Sequence, residues 1–419
     1  MKVLHITHQY RPAVGGAEQY MVDLSEELAR RGHHVDVFTS RSTDYRTWRN
    51  VLPAHEHLDG VNVYRFWSLE RKTWMWEALR RGYEGWWRTG RACYEPLVFL
   101  GNGPVSPGML AAILRHGRDY DLVHLNNLHY AHAATAYQAA RWRGLPVVIT
   151  PHVHAEHRVT FDVGYMRRIL CQSDQIIADT MAEKQFLISL GLNGQQITVG
   201  GVGLKLEQIA SRDPLECRRD LGLPDQGFLW LFMSRKTEYK GLDTCLEAFV
   251  TLKPDRPDLY FVAAGPDTDY SRQLLARYAE ADGLIVRGQV SDEDKWKLLW
   301  SCDCLALPST GEAFGIVYLE AWAAGKPVIG ARIQSISSLI TDEQDGFLVR
   351  PGSAQELAAC LIRLMDNPAL RQQMGARGRA KLEARYTLAH IADIVEEAYL
   401  RALRRHRASP PNSIDMNTI

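Results

Sequence analysis

Short runs of β-branched and apolar residues alternate along this chain with stretches long enough for helices. That alternation restricts it to successive parallel β/α units. KVLHIT, HVDVFTS, VNVYRF, DLVHLN, PVVIT, QIIAD and QITVG follow one another in the first half, each separated by ten or more residues. The stretch after the first run reads as a helix: Met21, Leu24 and Leu28 share one face, Glu26, Glu27, Arg30 and Arg31 lie off it, and Gly32 supplies a stop. Such a helix packs one stripe on a sheet.

The pattern breaks between Glu207 and Gln226, where Pro214, Gly222 and Pro224 punctuate a polar stretch, and restarts at FLWLFMS. LYFVAAG, LIVRG, CLALPS, PVIGA and GFLVR then repeat the alternation. A chain of 419 residues is too long for one core. The expected organisation is a first domain over 1–206, a second over 207–387, a helix over 388–407 that packs back on the first domain, and a disordered tail over 408–419. The fold class is α/β, with two Rossmann-like doubly wound parallel sheets facing each other across an interdomain cleft. Ligands of open parallel sheets bind beyond the carboxyl ends of the strands, so the chemistry is expected there.

Composition removes several function classes. Lys plus Arg and Asp plus Glu are both 49, so the net charge is zero and a nucleic-acid partner is not expected. The start, MKVLHIT, enters a strand directly, and no run of 18 apolar residues follows, so a cytosolic protein without a membrane span is expected. Seven scattered cysteines, Cys245, Cys302 and Cys360 among them, suggest reduced core thiols. The first strand is followed by Gly15-Gly16 in place of Gly-x-Gly-x-x-Gly. Gly201-Val202-Gly203 leads to Leu206 where that motif has its third glycine, and no phosphate-binding P-loop occurs. Hydride transfer and NTP hydrolysis thereby lose their main support.

The informative residues lie in the second half. Arg235 and Lys240, in SRKTEYKG, follow the first strand of the second domain. A guanidinium fork and a mobile ammonium, with a helix start near Gly241, suit a diphosphate; taken alone, the pair reads first as two solvated loop cations. A second stretch, PSTGEAFGIVYLEAWAAGKPVI, places Glu312 before a helix expected to begin near Phe314, and Glu320 about two turns into it. A carboxylate at Glu320 can accept from both hydroxyls of a ribose. The amides of Ala313, Phe314, Gly315 and Ile316 open the helix and can face anionic or hydroxyl oxygens.

With these landmarks go Gly15-Gly16-Ala17-Glu18, Thr150-Pro151-His152, Ala264-Gly265, Gly288-Gln289-Val290, Pro308-Ser309 and Gly325-Lys326-Pro327-Val328. In order and spacing the whole set resembles the retaining GT-B glycosyltransferases of family 4, the glycosyltransferase group 1 family, over nearly the entire chain. The resemblance implies that Arg235 and Lys240 hold the diphosphate of a nucleotide sugar and Glu320 its ribose. It places the backbone of Gly288 to Val290 at the base, and Glu312 with the amides of Ala313 to Ile316 beside the donor sugar. His152 approaches that sugar from the first domain, and Gly15 and Gly16 lie near the phosphates and acceptor. It implies no metal and no other cofactor. It also implies front-face attack, in which Glu312 positions and does not act as nucleophile. Ser234, Val199-Gly200-Gly201 and Gln334–Ser338 depart from the family pattern, which leaves the donor sugar open.

Two further features stand apart. His152, His154 and His157 have short spacing, but an extended strand end points 152 and 154 one way without 157, and a donor-site role for His152 is preferred to metal binding. Residues 65–91 carry five of the eleven tryptophans interleaved with arginines. Wound as a helix, Trp76, Leu79, Tyr83, Trp86 and Trp87 fall on one face and Arg80, Arg81, Arg88 and Arg91 on the other. That pattern fits either an anionic membrane surface or a helix docked on its own domain. The expected function is a UDP- or GDP-sugar-dependent retaining glycosyltransferase acting on a glycan or lipid-linked acceptor in polysaccharide, lipopolysaccharide or glycolipid synthesis, peripheral on the inner face of a membrane if the tryptophan segment binds lipid. The alternatives are a nucleotide-sugar 2-epimerase of the same architecture and a non-catalytic sugar-nucleotide binding protein.

Overall fold

A computed structural model describes residues 1–13, 15–153 and 158–408. It forms two units: Met1–Gly203 with the C-terminal helix from Leu388, and Leu204–Thr387. The division falls after Gly203, three residues before the boundary expected from the polar stretch, because the break in the alternation marks the linker more coarsely than the packing does. Of the tail, 409–419 lies outside the described residues.

The first unit holds β1 (Lys2–Ile6), β2 (His34–Ser40), β3 (His55–Leu58), β4 (Val61–Phe66), β5 (Leu122–Asn126), β6 (Val147–Thr150), β7 (Gln175–Ala178) and β8 (Ile197–Val199), in the order β3-β4-β2-β1-β5-β6-β7-β8. All neighbours pair in parallel except β3 with β4. The all-parallel expectation is corrected there. HEHL has no apolar run to betray a strand, yet Asp59 (φ 47°) and Gly60 (φ 83°) form a two-residue turn with both central residues at positive φ. That turn type matches the twist of a hairpin, and Asp-Gly was the available signal.

The second unit holds β9 (Phe228–Met233), β10 (Leu259–Ala264), β11 (Leu284–Arg287), β12 (Cys304–Leu307), β13 (Val328–Ala331) and β14 (Gly346–Val349), all parallel, in the order β11-β10-β9-β12-β13-β14. β9 is buried on both faces, which is why FLWLFM reads as one continuous apolar run. The seven cysteines are unbridged, and Cys217, Cys245, Cys302 and Cys304 are buried, but Cys93 and Cys171 are exposed. Burial pushes the Cys302 thiol up to about 12, so it stays protonated and packs as a small hydrophobe.

The helix Thr73–Thr89 corrects the face assigned to the tryptophan segment. Leu79, Tyr83 and Trp86 pack against the core of the first unit, and the Trp86 indole donates to the Asp162 carbonyl at 2.8 Å. Trp67, Trp74, Trp76 and Trp87 are exposed. The basic face is partly neutralised, since Arg80 pairs with Glu77 and Glu84, and Arg81 with Glu77. Among the described residues, no single helix is long and apolar enough to cross a membrane.

The helix Leu388–Ala408 is tied to the first sheet by a buried chain of hydrogen bonds whose direction is fixed. The Ser25 hydroxyl donates to the Met21 carbonyl at 2.6 Å, so its oxygen accepts from His5 Nδ1–H at 2.7 Å. His5 Nε2 then accepts from the Tyr399 hydroxyl (2.9 Å), and the Tyr399 oxygen accepts from His124 Nδ1–H (2.7 Å). His124 Nε2 accepts from Thr150 (2.8 Å), whose oxygen accepts from the Tyr20 hydroxyl (3.2 Å). Both rings are neutral in this chain: burial lowers the His5 pKa to about 3 and holds His124 well below the ordinary histidine value, with His5 and His152 adding to the effect.

Tyr399→Phe leaves one buried acceptor and one buried donor unpaired. It should destabilise the first unit by about 2 kcal/mol or more in denaturant unfolding. In the unfolded chain both histidines take a proton near pH 6.5, whereas folded His5 resists until about pH 3. The unfolded state therefore binds more protons in that window, and stability should fall as pH drops below about 6.5, by up to about 1.4 kcal/mol per pH unit for each ring. An unfolding midpoint flat from pH 7 to 5 would contradict the assignment.

Candidate functional site

β9 and β12 are neighbours at the point where the strand order of the second sheet reverses, the switch point of an open parallel sheet. The loops leaving their carboxyl ends are laced together. Thr310 N–H donates to the Tyr239 carbonyl at 2.8 Å, and the Ser309 hydroxyl donates to the same oxygen at 3.0 Å. Gly241 (φ 75°) packs so closely on Pro308 that a Cβ would lie 2.5 Å from the Pro308 carbonyl oxygen. This approach sets Lys240 Nζ 2.6 Å from Glu312 Oε1. Arg235 is exposed just past the end of β9.

Lys236, between the two predicted cations, is fully buried and donates to the carbonyls of Gly265 (2.9 Å) and Arg287 (2.6 Å) and to Asp267 (2.7 Å). Sequence reasoning passed over it. Alternation along an extended segment turns it away from Arg235, into the sheet edge, where it braces the ends of β10 and β11. Gly288 belongs to the same brace: its carbonyl accepts from Gly265 N–H at 3.0 Å, the glycine is exposed, and Val290 beyond it is half-buried.

The helix expected near Phe314 starts at Ile316, because Gly315 takes a left-handed conformation (φ 89°) that interrupts it. Glu320 therefore lies little more than one turn into the helix. The Phe314 ring packs edge-on to Tyr386 at 5.6 Å, while Ala313 is half-buried. Glu320 has a partner that the sequence did not suggest: Lys295, from the helix Asp292–Ser301, approaches to 2.9 Å. Burial works against the Lys295 ammonium, but Glu320 and Asp292 more than offset it and raise its pKa above the ordinary lysine value.

In the first unit the corresponding switch point lies between β1 and β5. Gly15 is extended and caps the helix Gly16–Arg30; a Cβ on it would lie 2.2 Å from the Glu18 carboxylate. Glu18 in turn holds His8 Nε2 at 2.8 Å, and although burial opposes its charge, His8 and His152 keep its pKa below the ordinary value. His152 follows β6 at φ 51°, a left-handed conformation uncommon for a residue with a side chain. Its Nδ1 faces Asp179 and its Nε2 faces the Asn126 side-chain oxygen, both at 2.7 Å. The Asn126 amide nitrogen is spent on Thr7 and the Ala17 carbonyl, which fixes that orientation.

Both ring nitrogens of His152 are thereby engaged within the first unit. Asn126, Asp179 and Glu183, which sequence reasoning missed, hold it. Glu183 accepts from the amides of Val153 (2.7 Å) and Asp179 (2.6 Å), and burial with the nearby Asp179 charge pushes its pKa well up. A signal existed: Asn126 ends β5 and Asp179 follows β7, polar residues at the carboxyl ends of mostly apolar strands. His154 and His157 lie outside the described residues.

The comparisons with known proteins agree over nearly the whole chain. Residues 14–208 match the model described as Glycosyltransferase Family 4, and residues 215–381 match Glycosyl transferases group 1. The chain belongs to this glycosyltransferase family. It is 25% identical to a D-inositol 3-phosphate glycosyltransferase of Stackebrandtia nassauensis, over 95% of this chain and 89% of the relative. It is 28% identical to one from Kineococcus radiotolerans, over 94% and 92%. Among solved structures it resembles sucrose-phosphate synthase from Thermosynechococcus elongatus (TM-score 0.75, 22% identity, 96% of this chain and 99% of the other). It also resembles Anabaena HepE in complex with UDP and glucose (TM-score 0.74, 20% identity, 95% and 98%). The fold of this glycosyltransferase is GT-B, with two parallel-sheet α/β domains.

His152 and Asp179 are expected to act as one unit. His152→Ala and Asp179→Ala should each lower kcat/KM, and the double variant should lose little beyond the worse single. Multiplying losses would show that they act separately.

Proposed function

We propose that this enzyme transfers a sugar from a nucleoside diphosphate to an acceptor hydroxyl, with retention at the anomeric carbon and without a metal ion, in polysaccharide, lipopolysaccharide or glycolipid synthesis. The observation that carries the reading is the Lys240–Glu312 pair beside Arg235 at the switch point of the second sheet. The ammonium is aimed by one carboxylate. A diphosphate, with more charge than that carboxylate, draws it over while the Arg235 fork takes two phosphate oxygens. As the bond from the anomeric carbon to the diphosphate oxygen breaks, negative charge grows on the leaving group, and these two cations stabilise it in place of a metal.

Glu320, held in place by Lys295, is suited to accept from the ribose hydroxyls, and the exposed backbone around Gly288 and Val290 to face the base of a UDP- or GDP-linked donor. Structures of HepE with UDP and with UDP-glucose support a nucleotide-sugar partner. Glu312 is already paired with a lysine, which suits positioning better than nucleophilic attack. In the step that follows, the acceptor oxygen bonds to the anomeric carbon on the face the diphosphate leaves, and the hydroxyl proton passes to a diphosphate oxygen.

Arg235→Ala and Lys240→Ala should each lower turnover by about 100-fold or more, as when a donor to developing charge is removed; normal rates in folded variants would remove the diphosphate role. Glu320→Ala should raise the donor KM more than it lowers kcat. Activity should survive a chelator, and the product should keep the donor's anomeric configuration by NMR. Loss in chelator, restored by a divalent ion, would overturn the metal-independent reading.

A further inference from the structure

Among the described residues Lys236 is the only buried lysine, at 0% exposed. Burying an ammonium is costly unless it is paired and its donors are used. A lysine has three N–H donors. Here each has its own acceptor: the Gly265 carbonyl at 2.9 Å, Asp267 at 2.7 Å and the Arg287 carbonyl at 2.6 Å. The backbone of the same residue is spent in the same direction. Its N–H donates to the Pro266 carbonyl at 3.0 Å, and its carbonyl accepts at 2.7 Å from the hydroxyl of Thr268, the residue that caps the helix Asp269–Ala276. Lys236 thereby joins the loop after β9 to the loop after β10 and to the end of β11. The joint has no slack, since a Cβ on Gly265, at φ 126°, would lie 2.0 Å from the Ser234 carbonyl oxygen.

Both ends of this joint bear on the donor. Arg235, the cation placed at the diphosphate, is the residue before Lys236, and residues 288–290, the backbone placed at the base, begin directly after Arg287. β11 is an edge strand, paired on one side only, with β10. Beyond that ladder its carboxyl end is held by Lys236, by the Arg287 side chain on the Leu221 carbonyl (2.8 Å) and by the Gly288 carbonyl on Gly265 N–H (3.0 Å). Gly288 itself is exposed, and a Cβ there would meet nothing within 4 Å. Backbone groups read a base only through hydrogen-bond distance and direction, so a displacement of about 0.5 Å is enough to spoil the reading. An apolar side chain would fill the space of Lys236 at lower cost, but it would give these carbonyls no direction.

We propose that Lys236 determines which nucleotide base the enzyme accepts, by fixing the backbone of residues 288–290 in register with Arg235. It is a positioning residue: fully buried, it acts through that backbone and does not touch the donor. The proposal rests on the nucleotide-sugar reading of the second unit.

The test is isothermal titration calorimetry of the full chain with UDP, GDP and inorganic diphosphate. The wild type should prefer one nucleotide by about tenfold or more. In K236M that preference should fall to about threefold or less, while the affinity for inorganic diphosphate, which reaches Arg235 and Lys240 but no base-facing backbone, changes by less than about twofold. If Lys236 only braces the fold, K236M unfolds at lower temperature with the preference kept, and the proposal fails. It fails equally if diphosphate and nucleotide affinities fall by the same factor, or if the wild type binds UDP and GDP alike. A wild type that binds none of the three, or diphosphate binding that is undiminished in R235A/K240A, removes the donor reading of the second unit and the proposal with it. Should K236M fail to fold, D267N keeps the ammonium and both carbonyls while removing the opposing charge, and it should shrink the preference in the same direction; an unchanged preference in D267N then counts against Lys236.

Discussion

Thirteen of the fourteen strands run parallel within their sheets, and that constraint fixes where the polar chemistry collects. In a parallel sheet every carboxyl end lies along one edge, so a strand buried on both faces can release polar side chains only beyond that edge. Asn126, His152 and Asp179 in the first unit, and Arg235, Lys240 and Glu312 in the second, all lie at or beyond strand ends. The reversal of strand order then opens a space between the two loops that leave in opposite directions. In the second unit that space is bounded by the loops after β9 and β12; in the first it lies between those after β1 and β5.

The first unit must hold its edge in register without losing polar groups to an apolar interior, and the chain through Tyr399 does this. His5 and His124 sit in the middle of central strands, where apolar residues would pack at lower cost. Their presence is rational only because every donor and acceptor from Ser25 to Tyr20 is used, in one direction. Tyr20 closes the sequence and lies edge-on to His152 at 5.2 Å. A residue near the C-terminus is thereby connected, through hydrogen bonds and one aromatic contact, to the ring at the end of β6. The ion pairs of Arg31 with Asp393 and Glu396 hold the same helix from outside.

Most of the architecture was legible because apolar runs in parallel sheets are continuous. The thirteen strands read from β-branched clusters are all present, while β3, with three polar residues of four, was visible only through its Asp-Gly turn. The candidate site was legible wherever residue type alone implies chemistry: Arg235 and Lys240 are permanent cations just past a strand end, and Glu312 and Glu320 are carboxylates in a largely apolar stretch. What could not be read was pairing. Lys295 meets Glu320 across two helices, Glu312 meets Lys240 across two loops, and Asp179 meets His152 across two strands. Each contact depends on tertiary approach and leaves no periodic trace. The tryptophan segment left two readings open for the same reason: its amphipathic pattern is real, and the core of its own domain takes up Leu79, Tyr83 and Trp86.

Buried cations of this chain are compensated in two ways, by carboxylates as at Arg65 and Lys236 and by carbonyls alone as at Arg71. In the second unit the cations at the strand ends are compensated by carboxylates of the same chain, so a diphosphate must compete with Glu312 for Lys240 and gains by its greater charge. Such a site tolerates being empty. Arg71 in the first unit has the carbonyl oxygens of Tyr45 and Asn102 and two aromatic faces around it, so dipoles and rings alone offset its desolvation cost. Paired cations at a strand end favour release after turnover, as a leaving group requires, whereas Arg71 is committed to the carbonyls it holds.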